Sequence, residues 1–237
     1  MKELSRAIMG VLLVSVVSVF AARPAMGQDP AKVAGDIYKV LLENDRVRVL
    51  EAKLKPGDKT ALHSHPANII YSFTDSKAKF TPSGGKGTIR PMRAGAVLWS
   101  PPETHVSENA GKTEARVLIF ELKKLGRHGT QASGADPVKA DPAHFKVRLN
   151  NASVRVLEFR GKPGDKFPMH SHPDYVAYTF SGGKTTYSFP DGKTAERQVT
   201  AGNATWNESE THAGQIGDTE THTLLVELKA TRATPKK

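Results

Sequence analysis

The sequence predicts an all-β protein made of two tandem small β-barrels joined by a flexible linker. A long internal duplication, short runs of β-branched and aromatic residues, and Gly/Pro turns between those runs all point to it. Laying His63 on His170 fixes an offset of 107 residues, which also lays "VRVLE" at Val47–Glu51 on "VRVLE" at Val154–Glu158. The same offset pairs Tyr71 with Tyr178, Phe73 with Phe180, Gly95 with Gly202 and Trp99 with Trp206. It lays "ETH" at Glu103–His105 on "ETH" at Glu210–His212 without a gap. One residue is then lost, and "ELK" at Glu121–Lys123 meets "ELK" at Glu227–Lys229. A repeat of this length fixes the architecture before any element is assigned.

Within each copy the pattern is that of short strands. "RVRVLEAKL" begins with the alternation of a strand that buries one face. "NIIYSF", "AVLWS" and "RVLIFEL" in copy one, and "VAYTF", "TTYSF" and "HTLLVEL" in copy two, are further runs of strand-forming residues. Signals such as "KPGD", "PSGGKG", "RAG" and "PDGK" separate them. Helical spacing is absent apart from a short turn near Val33–Val40. Antiparallel strands at such intervals suit a small barrel or a sandwich, and a unit of roughly 90 residues can just bury its own core. The expected units are 36–123 and 143–230. Between them "KLGRHGTQASGADPVKADP", residues 124–142, has the composition of an exposed linker. Residues 28–35 and the tail 231–237 read as similarly loose.

Residues 1–27 have the layout of a secretory signal peptide: Lys2 and Arg6, an apolar run from Ile8 to Ala22, then Ala25-Met26-Gly27. The run is short for a membrane span, which needs roughly 20 residues; an uncleaved anchor is the competing reading. The remainder has no second apolar span, so the mature protein is expected to be periplasmic or secreted, with no stable membrane span after cleavage. The chain has no cysteine, which excludes a disulfide framework and a lipoprotein anchor. Its formal charge is +10; the leader holds Lys2, Arg6 and Arg23 against Glu3, so +8 remains without it. The basic residues are scattered among acidic ones. No nucleic-acid partner is expected, and a pull on small anions is the more modest inference.

The histidines carry the chemistry. On a strand, residues i and i+2 share a face, so His63 and His65 aim together, as do His170 and His172. A third histidine follows in each copy, His105 and His212. Three imidazoles converging from two strands make a metal site with open positions. Spacing matched in both copies sets these six apart from His128, His144 and His222, which have no counterpart and are left out. Glu103 and Glu210 lie two residues before the third histidine and share its face. They could complete the metal shell, act as a general base, orient a histidine, or be charged rim residues. The aromatic pairs at 71/178, 73/180 and 99/206 suit a core better than a pocket. No Ser-His-Asp order or phosphate loop is present.

The order Gly57, His63, His65, then Gly95, Pro101, His105 and Asn109, repeated as Gly164, His170, His172, Gly202 and His212, resembles the two cupin motifs. The chain thus resembles a bicupin over nearly all its length past the leader. The resemblance implies two jelly-roll barrels, each holding a divalent metal ion (Fe, Mn, Zn, Ni or Cu), and paired barrels that often form oligomers, so a homo-oligomer is a further expectation. The cupin motif's usual Glu is missing: the places are Ile69 and Ile70 in copy one, Val176 and Ala177 in copy two. Copy two also lacks the Pro and the trailing Asn. Three neutral imidazoles leave a divalent ion its full charge, which favours anionic chelating ligands and acidifies bound water. Three-His cupins include dioxygenases. The expectation is an exported bicupin metalloprotein with dioxygenase-like oxidoreductase chemistry on a small anionic chelating molecule. The alternatives are a non-catalytic metal or ligand carrier, and a protein in which only one barrel is functional.

Overall fold

In the computed structural model, residues 28–123 and 132–230 are described. The expected leader, the first part of the expected linker and the tail lie outside them.

The duplication governs the architecture. Copy one runs β1 (Tyr38–Glu43), β2 (Val47–Leu54), β3 (His63–His65), β4 (Asn68–Ser72), β5 (Ser76–Pro82), β6 (Thr88–Met92), β7 (Val97–Ser100), β8 (Glu103–Asn109) and β9 (Ala115–Leu122). Copy two runs β10 (Phe145–Asn150), β11 (Val154–Gly161), β12 (Lys166–His172), β13 (Tyr175–Ser181), β14 (Lys184–Ser188), β15 (Thr194–Gln198), β16 (Ala204–Asn207), β17 (Glu210–Ile216) and β18 (Thr221–Leu228). Each copy folds into a five-stranded and a four-stranded antiparallel sheet. In copy one these are ordered β1-β2-β9-β4-β7 and β3-β8-β5-β6; copy two repeats both orders with β10-β11-β18-β13-β16 and β12-β17-β14-β15. The expected all-β fold of two jelly-roll barrels is what the chain adopts.

Alternation along the strands sorts side chains between two kinds of core. Leu50, Ala52 and Leu54 of β2 face the inside of barrel one with Tyr38 and Ile119. Leu157 and Phe159 of β11 face the inside of barrel two with Phe145, Phe167, Tyr175 and Leu225. The opposite faces of the five-stranded sheets bury one another: Val49, Ile69, Leu118 and Phe120 of copy one share one core with Val156, Val176, Leu224 and Val226 of copy two. Aromatic contacts across this seam are reciprocal. Tyr71 meets Phe180 with centroids 4.8 Å apart, and Phe73 meets Tyr178 at 5.9 Å. Residue i of one copy meeting residue j of the other, and j meeting i, is the mark of a two-fold interface. At the rim Arg46 pairs with Asp174, and Arg148 Nη2 donates to Gly95 O at 2.8 Å. The aromatic pairs therefore belong to the core between the barrels.

Two segments that composition marks as loose are held in place. In residues 28–35, Ser64 N donates to Gln28 O at 3.0 Å, and a short helix α1 (Pro30–Val33) follows with Asp29 as its N-cap. In the second half of the expected linker, Ser171 N donates to Ala135 O at 2.9 Å, and α2 (Pro137–Ala140) follows with Asp136 as its N-cap. The physical reason is the same in both. The Asp carboxylate accepts orphan helix N–H groups, and Pro at the first helical position starts the turn. "DPAK" and "DPVK" lie at the 107-residue offset, so each barrel carries its own arm.

Candidate metal centres

The Pro-Gly-Asp turns set the approach to each histidine strand. Gly57 and Gly164 have φ of 84° and 80°, a region that costs glycine nothing. The turns close with Asp58 N to Lys55 O at 3.0 Å and Asp165 N to Lys162 O at 3.1 Å. Strand β3 then pairs with β8 so that His63 faces His105, and β12 pairs with β17 so that His170 faces His212. Alternation brings in His65 and His172. A third ligand 42 residues along the chain thus becomes a cross-strand neighbour of the first.

All six histidines are buried, and their potential ligand atoms lie within 4.8 Å of one another in each cluster. Centroid separations in barrel one are 4.9 Å for His63–His65, 4.8 Å for His63–His105 and 5.5 Å for His65–His105. In barrel two the corresponding values are 4.8, 4.8 and 5.5 Å. Among the described residues these are the two groups that could hold a metal.

Hydrogen bonds behind the rings fix which nitrogen faces inward. His63 Nδ1 donates to Ala61 O, and His170 Nδ1 to Pro168 O, both at 2.8 Å. His65 Nδ1 lies 2.7 Å from Glu121 Oε1, and His172 Nδ1 lies 2.7 Å from Glu227 Oε1. An Nδ1–H held this way leaves Nε2 with a bare lone pair. In barrel two the consequence is visible: His170 Nε2 and His172 Nε2 stand 3.0 Å apart, two lone pairs that repel unless a proton or a cation sits between them. Burial, aided by the neighbouring imidazoles, pushes the pKa of both His63 and His170 down to about 4. The rings are neutral at pH 7, as metal ligation requires. The donor set fits a divalent ion with three imidazoles and open positions.

The buried glutamates behind the rings are what sequence reasoning missed. Glu121 also accepts from Arg48 Nε at 2.6 Å, and Arg48 Nη1 donates to Asp29 at 2.8 Å. Copy two repeats the chain: Arg155 Nε reaches Glu227 at 2.5 Å and Arg155 Nη1 pairs with Asp136. Burial opposes ionisation of Glu121, but His65 and Arg48 outweigh it and hold its pKa below the usual range. A carboxylate is therefore present one layer behind the ring, although the motif position holds none. Ile69 and Val176 sit in the core between barrels, while Ile70 and Ala177 face inward with apolar side chains. The signal was available, since Arg48, Glu121 and their counterparts lie within the duplicated "VRVLE" and "ELK".

Glu103 and Glu210 join neither cluster. Glu103 Oε2 lies 3.3 Å from His105 Nδ1, and Glu210 Oε1 lies 3.4 Å from His212 Nδ1. Neither Nδ1 has an aligned hydrogen bond, so the contact is electrostatic. Glu103 also accepts from Ser100 Oγ at 2.8 Å, and Glu210 from Tyr175 Oη at 2.6 Å and Arg197 Nη2 at 3.2 Å. The contact with His105 lowers the pKa of Glu103. Against its burial, His212 and Tyr175 hold that of Glu210 at about 2. Of the histidines set aside, His144 bridges Asp141 and Asp165, and His222 pairs with Glu158.

No protein-family model and no curated protein sequence matches the chain. Solved structures do. A tryptophan-to-tyrosine variant of oxalate decarboxylase from Bacillus subtilis superposes with a TM-score of 0.58 at 16% identity, over 83% of this chain and 76% of that one. Another structure of that enzyme, described for its Mn(II) centres, gives 0.57 at 15% identity over the same shares. AerE from Microcystis aeruginosa gives 0.54 at 12% identity, covering 81% of this chain and 97% of that one. At such identities the likeness speaks for the fold. Together with the twin clusters, it shows that the chain has the fold of a bicupin, with a three-histidine site for a divalent metal in each barrel.

Proposed function

We propose that the protein is an exported metal-dependent oxidoreductase that performs a dioxygenase-like oxidation of an anionic chelating molecule. The observation that carries it is the pair of buried three-histidine clusters whose potential ligand atoms lie within 4.8 Å of one another. A divalent ion held there supplies Lewis acidity and, if redox-active, electron exchange with O2. The chain's own residues keep His63 and His170 neutral by burial, orient the rings through Ala61 O, Pro168 O, Glu121 and Glu227, and exclude bulk water from the buried histidines. Glu103 and Glu210 stay ionised beside the third histidine of each cluster, where their negative charge steadies that ring and favours a cation in the site. Both oxygen atoms enter the substrate in a dioxygenation, so no external reductant is required. Support for an anionic chelator comes from the uncompensated charge of a three-imidazole site and from the name of the neighbour, oxalate decarboxylase. Export is supported by the leader-like residues 1–27.

Metal analysis of the purified protein tests the sites, repeated for His63→Ala and His170→Ala. Close to two equivalents are expected, with one lost in each variant; both barrels empty after metal-replete expression would sink the assignment. Oxygen uptake with thiols, diketones, flavonols and small hydroxy acids then tests the chemistry. A flat oxygen trace with measurable ligand affinity identifies a carrier instead.

A further inference from the structure

The two clusters are nearly superposable, but the spaces above them are not. Barrel two opens into a pocket of about 610 Å³ that His172 and His212 border, whereas the corresponding space in barrel one is about 60 Å³. The difference traces to inward positions that the duplication aligns. Ile70 of barrel one corresponds to Ala177, and Val117 to Thr223. Met92 is buried in barrel one, while its counterpart Val199 is half-exposed beside the opening. Tyr38 places its hydroxyl 3.1 Å from His63 Nε2, over the face that an incoming ligand needs. Its counterpart Phe145 has no such group and packs on His170 with centroids 4.9 Å apart.

We infer that the barrels have divided the work: barrel two is the chamber for a ring-sized, hydroxylated anionic chelator, and barrel one is a closed metal site that admits no such ligand. This rests on the metal-site reading above and names the ligand class and the barrel that takes it. A volume near 600 Å³ is that of a pocket for a mid-sized organic molecule and far exceeds what a two-carbon acid fills. Its floor is aromatic, with Phe159, Phe167 and Tyr187 offering ring faces and edges. Its wall carries Thr185 and Thr221, 2% and 5% exposed, whose hydroxyls have no hydrogen-bond partner within the protein. Buried unpaired hydroxyls on a cavity wall call for polar atoms on the occupant. Arg197 lies at the mouth, stacked over Tyr187 at 4.8 Å and ion-paired with Glu210. A flat ring bearing adjacent anionic oxygens satisfies the floor and the hydroxyls together, and its negative charge would be met by a divalent ion held at His170, His172 and His212.

The test is calorimetric titration of the zinc-loaded full chain with 4-nitrocatechol, a ring-sized chelating anion. One equivalent is expected to bind. Binding should survive His63→Ala with His105→Ala and vanish in His170→Ala with His212→Ala. A second variant, Ala177→Ile with Thr223→Val, gives barrel two the side chains that barrel one already packs. It should keep both zinc equivalents yet bind the probe at least tenfold more weakly. Two equivalents of probe, loss of binding on emptying barrel one, or unchanged affinity in the filled chamber each overturns the inference. So does a protein that holds two zinc ions and binds no probe, an outcome that leaves the metal sites standing. Zinc in neither barrel overturns the metal-site reading itself, and this inference with it.

Discussion

His65 and Glu121, 56 positions apart in sequence, meet at 2.7 Å in the interior of barrel one, with Glu121 only 1% exposed. The carboxylate fixes the ring's tautomer and raises its basicity as a ligand. Arg48 and Asp29 continue the contact to the surface, so a metal ligand is braced by the arm that precedes its barrel. Glu121→Gln is therefore expected to weaken metal binding in barrel one by about 10- to 100-fold and leave barrel two unchanged. Glu227→Gln should do the reverse. Competition with a chromophoric chelator measures both; equal loss in the two barrels contradicts the assignment.

The depressed pKa values of His63 and His170 set a pH dependence for the metal-free protein. Each ring has a folded pKa of about 4 against an unfolded value of 6.5. Between those values the unfolded chain binds more protons, so stability is full above pH 6.5 and declines as pH falls toward 4. Carboxylates such as Glu158 and Glu210, held at about 2 from 4.5, contribute only to losses below pH 4.5. Thermal unfolding of chelator-treated protein at pH 7 and pH 5 isolates the histidines. A lower midpoint at pH 5, restored by substituting both rings with an uncharged residue, is the expected result.

The shared core between barrels predicts one cooperative transition. Phe120 is fully buried at the seam, and Phe120→Ala is expected to cost about 3–5 kcal/mol. At this chain length that lowers the melting temperature by roughly 6–20 °C. Both barrels should melt together when followed by circular dichroism and by tryptophan fluorescence, since Trp99 and Trp206 pack against this core. Two separate transitions contradict the shared core.

A smaller effect is expected at the turn before the histidines. Gly164 has φ of 80° with open space where a Cβ would stand. Gly164→Ala therefore meets a conformational cost of about 1 kcal/mol and no clash. Urea unfolding should show a reduced midpoint with an unchanged slope, and zinc stoichiometry should stay the same.

The barrels and the ligand triplets were legible because the duplication repeats them and because strand alternation is a local rule. His105 could be paired with His63 since one strand pairing brings them face to face. Glu121 was harder: its role depends on β9 lying between β2 and β4, a non-local arrangement that no spacing reveals. The arms were misread because "DPAK" and "DPVK" have loop-like composition, while their order comes from caps and a strand contact. The unequal chambers were invisible for the opposite reason. An internal alignment rewards sameness, and the informative positions, 70 with 177 and 117 with 223, are those where the copies differ.

The reciprocal seam has a further consequence. In a homodimer built this way, any substitution would appear in both halves at once, and the two chambers would be bound to stay alike. Joining the halves in one polypeptide keeps the mutual burial of Tyr71 with Phe180 and of Phe73 with Tyr178 while releasing each interior to change alone. Tyr38 facing His63 in one barrel, and Phe145 facing His170 in the other, is a divergence that only such a fusion permits.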